Sequence, residues 1–204
     1  MTRSVGSFRS VVAVAALAAG LVFVGSSPAS AAGKGRIEGT VSSSHGSKGL
    51  VVYVVKAAGN FDPVKHAEMD QHRMKFVPHV MAVVQGTTVD FLNSDHINHN
   101  VFSPDNEGYN LGSWGYGQHR SYTFKSAGVY TQLCSLHPEM EAYIVVLQNP
   151  YYAISDSDGH FTIKNIPDGH YQLKVWGEHL KSKAKKRVFS VNVQGGIAHT
   201  SINL

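Results

Sequence analysis

The sequence predicts an all-β protein, and three observations carry that prediction. Apolar residues recur in short runs of strand length, turn-forming clusters separate the runs at regular intervals, and no stretch shows the apolar spacing of a useful amphipathic helix. Many short strands at this spacing mean a sandwich or a barrel. Ile37 to Val41 alternates apolar with small or polar residues, as a half-buried strand does. Leu50 to Val55 is a continuous apolar run, which suits a strand covered on both faces. Thr88 to Leu92, Ser121 to Phe124, Val129 to Leu133 and Ala142 to Leu147 follow as strands, then Phe161 to Ile163, Tyr171 to Trp176 and Val188 to Val193. Gln85-Gly86-Thr87, Ser126-Ala127-Gly128, Asp156-Ser157-Asp158-Gly159 and Pro167-Asp168-Gly169 supply turns between them.

Three segments resist a strand reading. Ser103 to Gly117 is rich in Gly, Asn and Tyr without periodicity and predicts a long surface loop. Pro63 to Asp70 predicts a short helical turn. Lys181 to Arg187 carries five positive charges and reads as a solvated hairpin tip, with docking of an acidic partner as the alternative. Asp156 to Gly159 resembles a calcium loop only superficially, because the remaining ligands and the terminal Glu are missing.

The first 31 residues stand apart. Arg3 and Arg9 precede an apolar stretch from Val11 to Val24, and small residues end in Ala29-Ser30-Ala31, the layout of a secretory signal peptide cleaved after Ala31. That stretch is short against the ~20 residues that cross a bilayer, and no later segment is long and apolar enough to span one. The expected mature chain is exported, periplasmic or secreted. The formal charge of +4 falls to +2 without Arg3 and Arg9, a mild balance that points neither to nucleic acid nor to a membrane surface. The 204 residues hold one cysteine, so no internal disulfide forms. A lone thiol in an oxidising compartment is a liability unless it is buried or bound to metal.

That cysteine sits in Cys134-Ser135-Leu136-His137-Pro138-Glu139-Met140, just after a predicted strand. A thiolate, an imidazole and a thioether therefore share one short loop. A further imidazole lies upstream in Asn98-His99-Asn100-Val101-Phe102. Two His, one Cys and one weak Met is a ligand set that favours one copper ion in a trigonal site with a long axial bond. Other readings compete at each position. Cys134 alone could be a small buried apolar residue, Met140 could fill core space, and His96 competes with His99. Glu139 and Glu141 flank the Met, where a carboxylate reaching the metal would harden the site. His66, His72 and His79 are scattered over strands and loops and read as isolated surface His rather than a second metal site.

The segment from about Glu68 to Leu147 resembles a cupredoxin domain, the family of plastocyanin and amicyanin. The resemblance is carried in order by Phe76-Val77-Pro78, Gly86-Thr87-Thr88-Val89, Asn93-Ser94-Asp95 with His99-Asn100-Val101-Phe102, and Gly128-Val129-Tyr130 leading to Cys134. Cys-x2-His-x2-Met is similar to the short amicyanin loop. The resemblance implies a Greek-key cupredoxin β-sandwich with copper held by His99, Cys134, His137 and Met140. It further implies that Asn100 ties the two ligand loops together near Ser135 and that His137 forms the electron gateway.

The flanks resemble a different family. Gly35-Arg36-Ile37-Glu38-Gly39-Thr40-Val41, Asp158-Gly159-His160-Phe161-Thr162-Ile163 and Ile166-Pro167-Asp168-Gly169-His170-Tyr171-Gln172-Leu173 are similar to parts of the carboxypeptidase regulatory-like (transthyretin-like) domain. Residues 32–61 and 149–204 are then the two parts of a second small β-sandwich, with a cupredoxin domain at 62–148 inserted between them, and Phe161 and Trp176 as its core aromatics. The order also resembles exported methylamine-utilisation-like proteins. The expected function is one-electron transfer by an exported non-enzyme with an unidentified redox partner protein. Copper storage, delivery or resistance without redox turnover is the alternative. Thiol catalysis by Cys134 with His137 as base leaves Met140 and the upstream His-Asn without a role.

Overall fold

β2 (Val51–Val54) shows how local sequence becomes architecture here: Val52 and Val54 face one core while Val51 and Tyr53 face another. The computed structural model describes residues 1–2, 35–63 and 66–204; the expected leader and its cleavage point lie outside the described residues. In chain order, β1 (Gly35–Ser42) and β2 are followed by nine strands. These are β3 (Ala67–Gln71), β4 (Phe76–Val77), β5 (Val80–Val84), β6 (Thr88–Asn93), β7 (His99–Ser103), β8 (Tyr109–Trp114), β9 (His119–Thr123), β10 (Gly128–Leu133) and β11 (Glu141–Leu147). Then come β12 (Tyr152–Ile154), β13 (His160–Ile166), β14 (Gly169–Trp176), α1 (Ser182–Lys185), β15 (Phe189–Val193) and β16 (Ile197–Asn203).

The all-β expectation holds. Sheets β5-β11-β10-β7-β8 and β4-β3-β6-β9 enclose one core, in which Phe91, Phe124, Tyr130, Ile144, Cys134 and Met140 are buried. Sheets β13-β1-β16 and β12-β2-β14-β15 enclose another, built on Ile37, Val52, Phe161, Ile163 and Leu173. The strands before residue 62 and after residue 148 share the second pair of sheets. A third apolar cluster joins the two sandwiches: Val51 and Trp176 meet Ala82, Val145 and Leu147. β2 and β11 are thus covered on both faces, which is why their sequences read as unbroken apolar runs. Among the described residues, no helix is long and apolar enough to cross a membrane.

Three local expectations are corrected and a fourth is filled in. Residues 103–117 contain β8 rather than one long loop. Tyr109 and Leu111 pack on the core with strand alternation, but Gly112 at φ +74 and a bulge opposite Asn100 to Phe102 break the period before Trp114. Instead of a helical turn, Ala67–Gln71 is a strand whose Met69 and Gln71 are buried by alternation, paired parallel to β6. The basic run lies at the tip of the β14–β15 hairpin, as expected, and holds the short helix α1 there; Lys185 Nζ lies 5.6 Å from the Trp176 ring centre and donates to the Glu178 carbonyl at 3.4 Å. Phe161 belongs to the flanking core as expected, whereas Trp176 packs at the seam, its ring 5.2 Å from that of Tyr143. Strands β5, β12 and β16 were not anticipated.

Candidate metal centre

β7 and β10 are antiparallel neighbours paired at Phe102 and Leu133. Because the strands are antiparallel, the residues of β7 before Phe102 lie past the end of β10, so Cys134 arrives opposite the opening of β7, where His99 stands. The chain then turns back into β11 through a short loop closed by the Met140 N–H, which donates to the His137 carbonyl at 3.0 Å. Asn100 fastens the two segments. Its Oδ1 accepts from the Ser135 N–H (3.2 Å) and hydroxyl (3.0 Å), while its Nδ2 donates to Asn110 Oδ1 and the Gly112 carbonyl. The link between Asn100 and Ser135 is the one expected from the sequence.

The result is a convergence of three donors. His99, Cys134 and His137 each place one donor atom within 4.8 Å of the others, and among the described residues this is the one such group. His99 Nδ1 lies 3.0 Å from His137 Nδ1, which in turn lies 3.7 Å from Cys134 Sγ. A first-row ion bonded at about 2.0–2.3 Å separates its donors by roughly 3.3–3.8 Å; one separation falls within that range and the other a few tenths below. His99 and Cys134 are buried and His137 is half-buried. Met140 is fully buried in the same apolar cluster as Cys134.

Hydrogen bonds around the donors suit a cation. The Asn100 N–H donates to Cys134 Sγ at 3.4 Å, as it would to a thiolate. His99 Nε2 faces Asp95 Oδ2 at 2.9 Å. An ionised carboxylate only accepts, so the proton belongs on Nε2 and the Nδ1 lone pair faces Cys134 and His137. Burial pushes the Asp95 carboxyl up, but the Met74 and Arg73 amides and the His99 ring outweigh it and hold the carboxyl below its ordinary range. Two imidazole nitrogens and a sulfur converging on one point are a donor set that suits a borderline-soft cation, so these residues fit a copper ion.

Other sequence candidates are not drawn in. His96 is exposed and stacks on Tyr116 at 4.0 Å. Glu139 is exposed, and Glu141 Oε1 accepts from the Tyr143 hydroxyl at 2.7 Å rather than turning to the donors. His66 pairs with Glu68, His72 lies near Asp95, and His79 pairs with Glu178, in three separate places. Asp156 closes a turn by accepting from Asp158 and His160 amides. The sequence places Asp95 only within the Asn93-Ser94-Asp95 stretch that carries the resemblance; the signal for its role is a carboxylate four residues before a ligand-type His.

Residues 64–147 match the family described as copper binding proteins, plastocyanin/azurin family. That segment is a cupredoxin domain, and the β-sheets outside it are not covered by the match. No curated protein matches the chain. Among solved structures, the chain is similar to a copper-containing nitrite reductase from Thermus scotoductus SA-01, at 27% identity and TM-score 0.39, over 46% of this chain and 25% of that one. It is similar to a reduced Cu(I) form of an amicyanin variant, at 26% identity and TM-score 0.38, over 42% of this chain and 91% of that one. A purple cupredoxin from Nitrosopumilus maritimus is also similar, at 26% identity and TM-score 0.36, over 39% and 98%.

Proposed function

We propose that the cupredoxin domain of residues 64–147 holds one copper ion through His99, Cys134 and His137, with Met140 as a weak axial ligand, and that the protein is an electron carrier. The observation that supports this most is the meeting of the three donors from two stretches of chain 35 residues apart in sequence, His99 and Cys134. Copper bound there supplies one-electron chemistry.

The residues around the donors suit that role. Asn100 and Asn93 brace the ligand-bearing loops from inside the fold; Asn93 Nδ2 donates to the Ile97 and Trp114 carbonyls at 2.9 and 3.0 Å. A braced shell keeps ligand positions alike in both oxidation states, which lowers the reorganisation that electron transfer requires. The loops that carry or adjoin the donors expose Leu136, Ile97, Met74 and Tyr116. An apolar rim beside a half-buried His137 lets a partner protein approach without stripping water from charges.

The reading extends to the rest of the chain. We place the protein outside the cytoplasm, periplasmic or secreted, on the strength of its leader sequence. We assign the two flanking sheets to a carboxypeptidase regulatory-like sandwich, split by the insertion of residues 62–148, that serves stability or docking and not chemistry.

The test is titration of the purified copper-free chain with Cu(II), followed by voltammetry. An intense visible thiolate charge-transfer band, lost in Cys134→Ser and shifted in Met140→Leu, with a reversible one-electron wave, supports the carrier. Weak colourless binding that Cys134→Ser leaves unchanged overturns the site. A band without a reversible wave moves the function to copper storage or delivery.

A further inference from the structure

We infer that Asp95 is the positioning residue of this centre: its carboxylate, anchored on the Arg73–Met74 turn, fixes which nitrogen of His99 faces Cys134 and His137. The functional consequence rests on the copper reading above, but the geometry does not.

The carboxylate is held by backbone. One oxygen accepts from the Arg73 N–H at 2.6 Å, and the other from the Met74 N–H at 2.8 Å. Those two residues form the tip of the β3–β4 hairpin, closed by reciprocal bonds between His72 and Lys75 at 2.9 and 3.2 Å. Their φ values are +54 and +56, the left-handed pair that a tight two-residue hairpin demands and that Asn and Gly normally fill. Neither residue is Asn or Gly, and the turn's two amides converge on a single carboxylate instead. Asp95 is also fixed from its own side, because its N–H donates to Asn93 Oδ1 at 2.9 Å. Its side chain is only 14% exposed. The oxygen that accepts from Met74 also faces His99 Nε2, at 2.9 Å, so the turn amides fix the direction in which it meets the ring.

Two effects on His99 follow. Committing the ring proton to Nε2 keeps the Nδ1 lone pair turned to the other donors. The negative charge behind the ring also strengthens Nδ1 as a donor, which favours Cu(II) over Cu(I). A turn on the apolar rim and a buried ligand thereby share one carboxylate.

The experiment compares the full chain with Asp95→Asn and Asp95→Ala, reading His99 imidazole nitrogen shifts in copper-free protein, copper affinities in both oxidation states, and amide exchange at Arg73 and Met74. In Asp95→Asn, which retains the shape and one acceptor, Cu(II) affinity should fall about tenfold. Cu(I) affinity should fall less, and the potential rises by about 59 mV if Cu(I) affinity is unchanged. The copper-free His99 ring should lose its single tautomer. Asp95→Ala should move each reading further the same way. If the turn amides exchange faster while the His99 shifts and the affinity ratio stay as in the parent, Asp95 merely clamps the hairpin and the inference fails. If the parent chain shows no Cys134-dependent copper band, the copper reading fails, and the copper-free nitrogen shifts still decide the positioning role.

Discussion

The two sandwiches bury their polar groups differently. In the flanking sandwich, buried Asn149 and Ser155 serve backbone at strand margins: Asn149 donates to the Val54 carbonyl, and Ser155 bonds the Leu50 amide and the Ser47 carbonyl. Among the described residues of that sandwich, no other polar residue is buried, and its core is built of apolar side chains. In the cupredoxin domain, buried Asn93, His99 and Asn100 gather at one end with Cys134, and they bind one another's loops. The lesson is that a sandwich closed by apolar residues is a scaffold, whereas one whose end is closed by mutually bonded polar residues is a site. Buried polar groups are costly unless satisfied, so the three that bond one another's loops beside Cys134 mark where the fold trades stability for chemistry.

The largest expected effect lies at the seam that joins the two regions. Trp176→Ala removes a ring packed against Tyr143 and the Val51, Val145 and Leu147 side chains, at a cost of about 3–5 kcal/mol for truncating a large buried aromatic. If the sandwiches unfold together, calorimetry of the parent shows one transition, and this variant is where it should divide in two. A single undivided transition of unchanged midpoint would mean that the seam holds nothing together.

Within the scaffold, Leu173→Ala deletes a fully buried side chain of the flanking core and should cost about 2–5 kcal/mol in denaturant unfolding. The copper spectrum should not move. A shift of the visible band in this variant would erase the division between scaffold and site.

At the site end, Asn100→Ala should cost about 1–3 kcal/mol, since it strands buried groups that now bond its amide. Unlike Leu173→Ala, it should also weaken copper binding, because Ser135 loses both bonds that hold the ligand loop to β7. Equal stability loss with unaltered copper affinity would show that the brace is structural alone.

Much of this contrast is written in the residues themselves. Cys134, His137 and Met140 share a seven-residue stretch, and His99-Asn100 stands at a strand opening, so donor chemistry was readable before any fold was known. The double-faced burial of β2 and β11 was equally plain in their unbroken apolar runs. Asp95 was harder to see, because its importance depends on two amides more than 20 residues upstream, a relation with no local pattern. β8 escaped because Gly112 and the bulge opposite it break the two-residue period. β5, β12 and β16 gain their place from pairing with distant strands; β16 lies parallel to β1, from the other end of the chain.

The smallest expected effect comes from the end of the cupredoxin domain built on Glu107, which accepts from the Tyr122 and Tyr130 hydroxyls at 2.9 and 3.1 Å. The Tyr122 bond, followed by bonds from Ser126 and Tyr130, outweighs desolvation and holds the Glu107 carboxyl below its ordinary range. Burial first, and then the neighbouring carboxylate, push Tyr122 and Tyr130 each up to about 12. The signs are opposite. Glu107 contributes stability that is present above the unfolded carboxyl value near 4.3 and is lost as pH falls through its lower folded value. The two phenols contribute stability that is present below the unfolded value near 10 and is lost as pH rises from there towards 12. In Glu107→Gln the charge vanishes but burial stays, so the phenolate absorbance step of these two residues should move only part of the way back towards 10. The acid limb of the stability profile should flatten slightly, with the copper band unchanged. A step that does not move at all would assign the entire shift to burial and leave Glu107 no share in it.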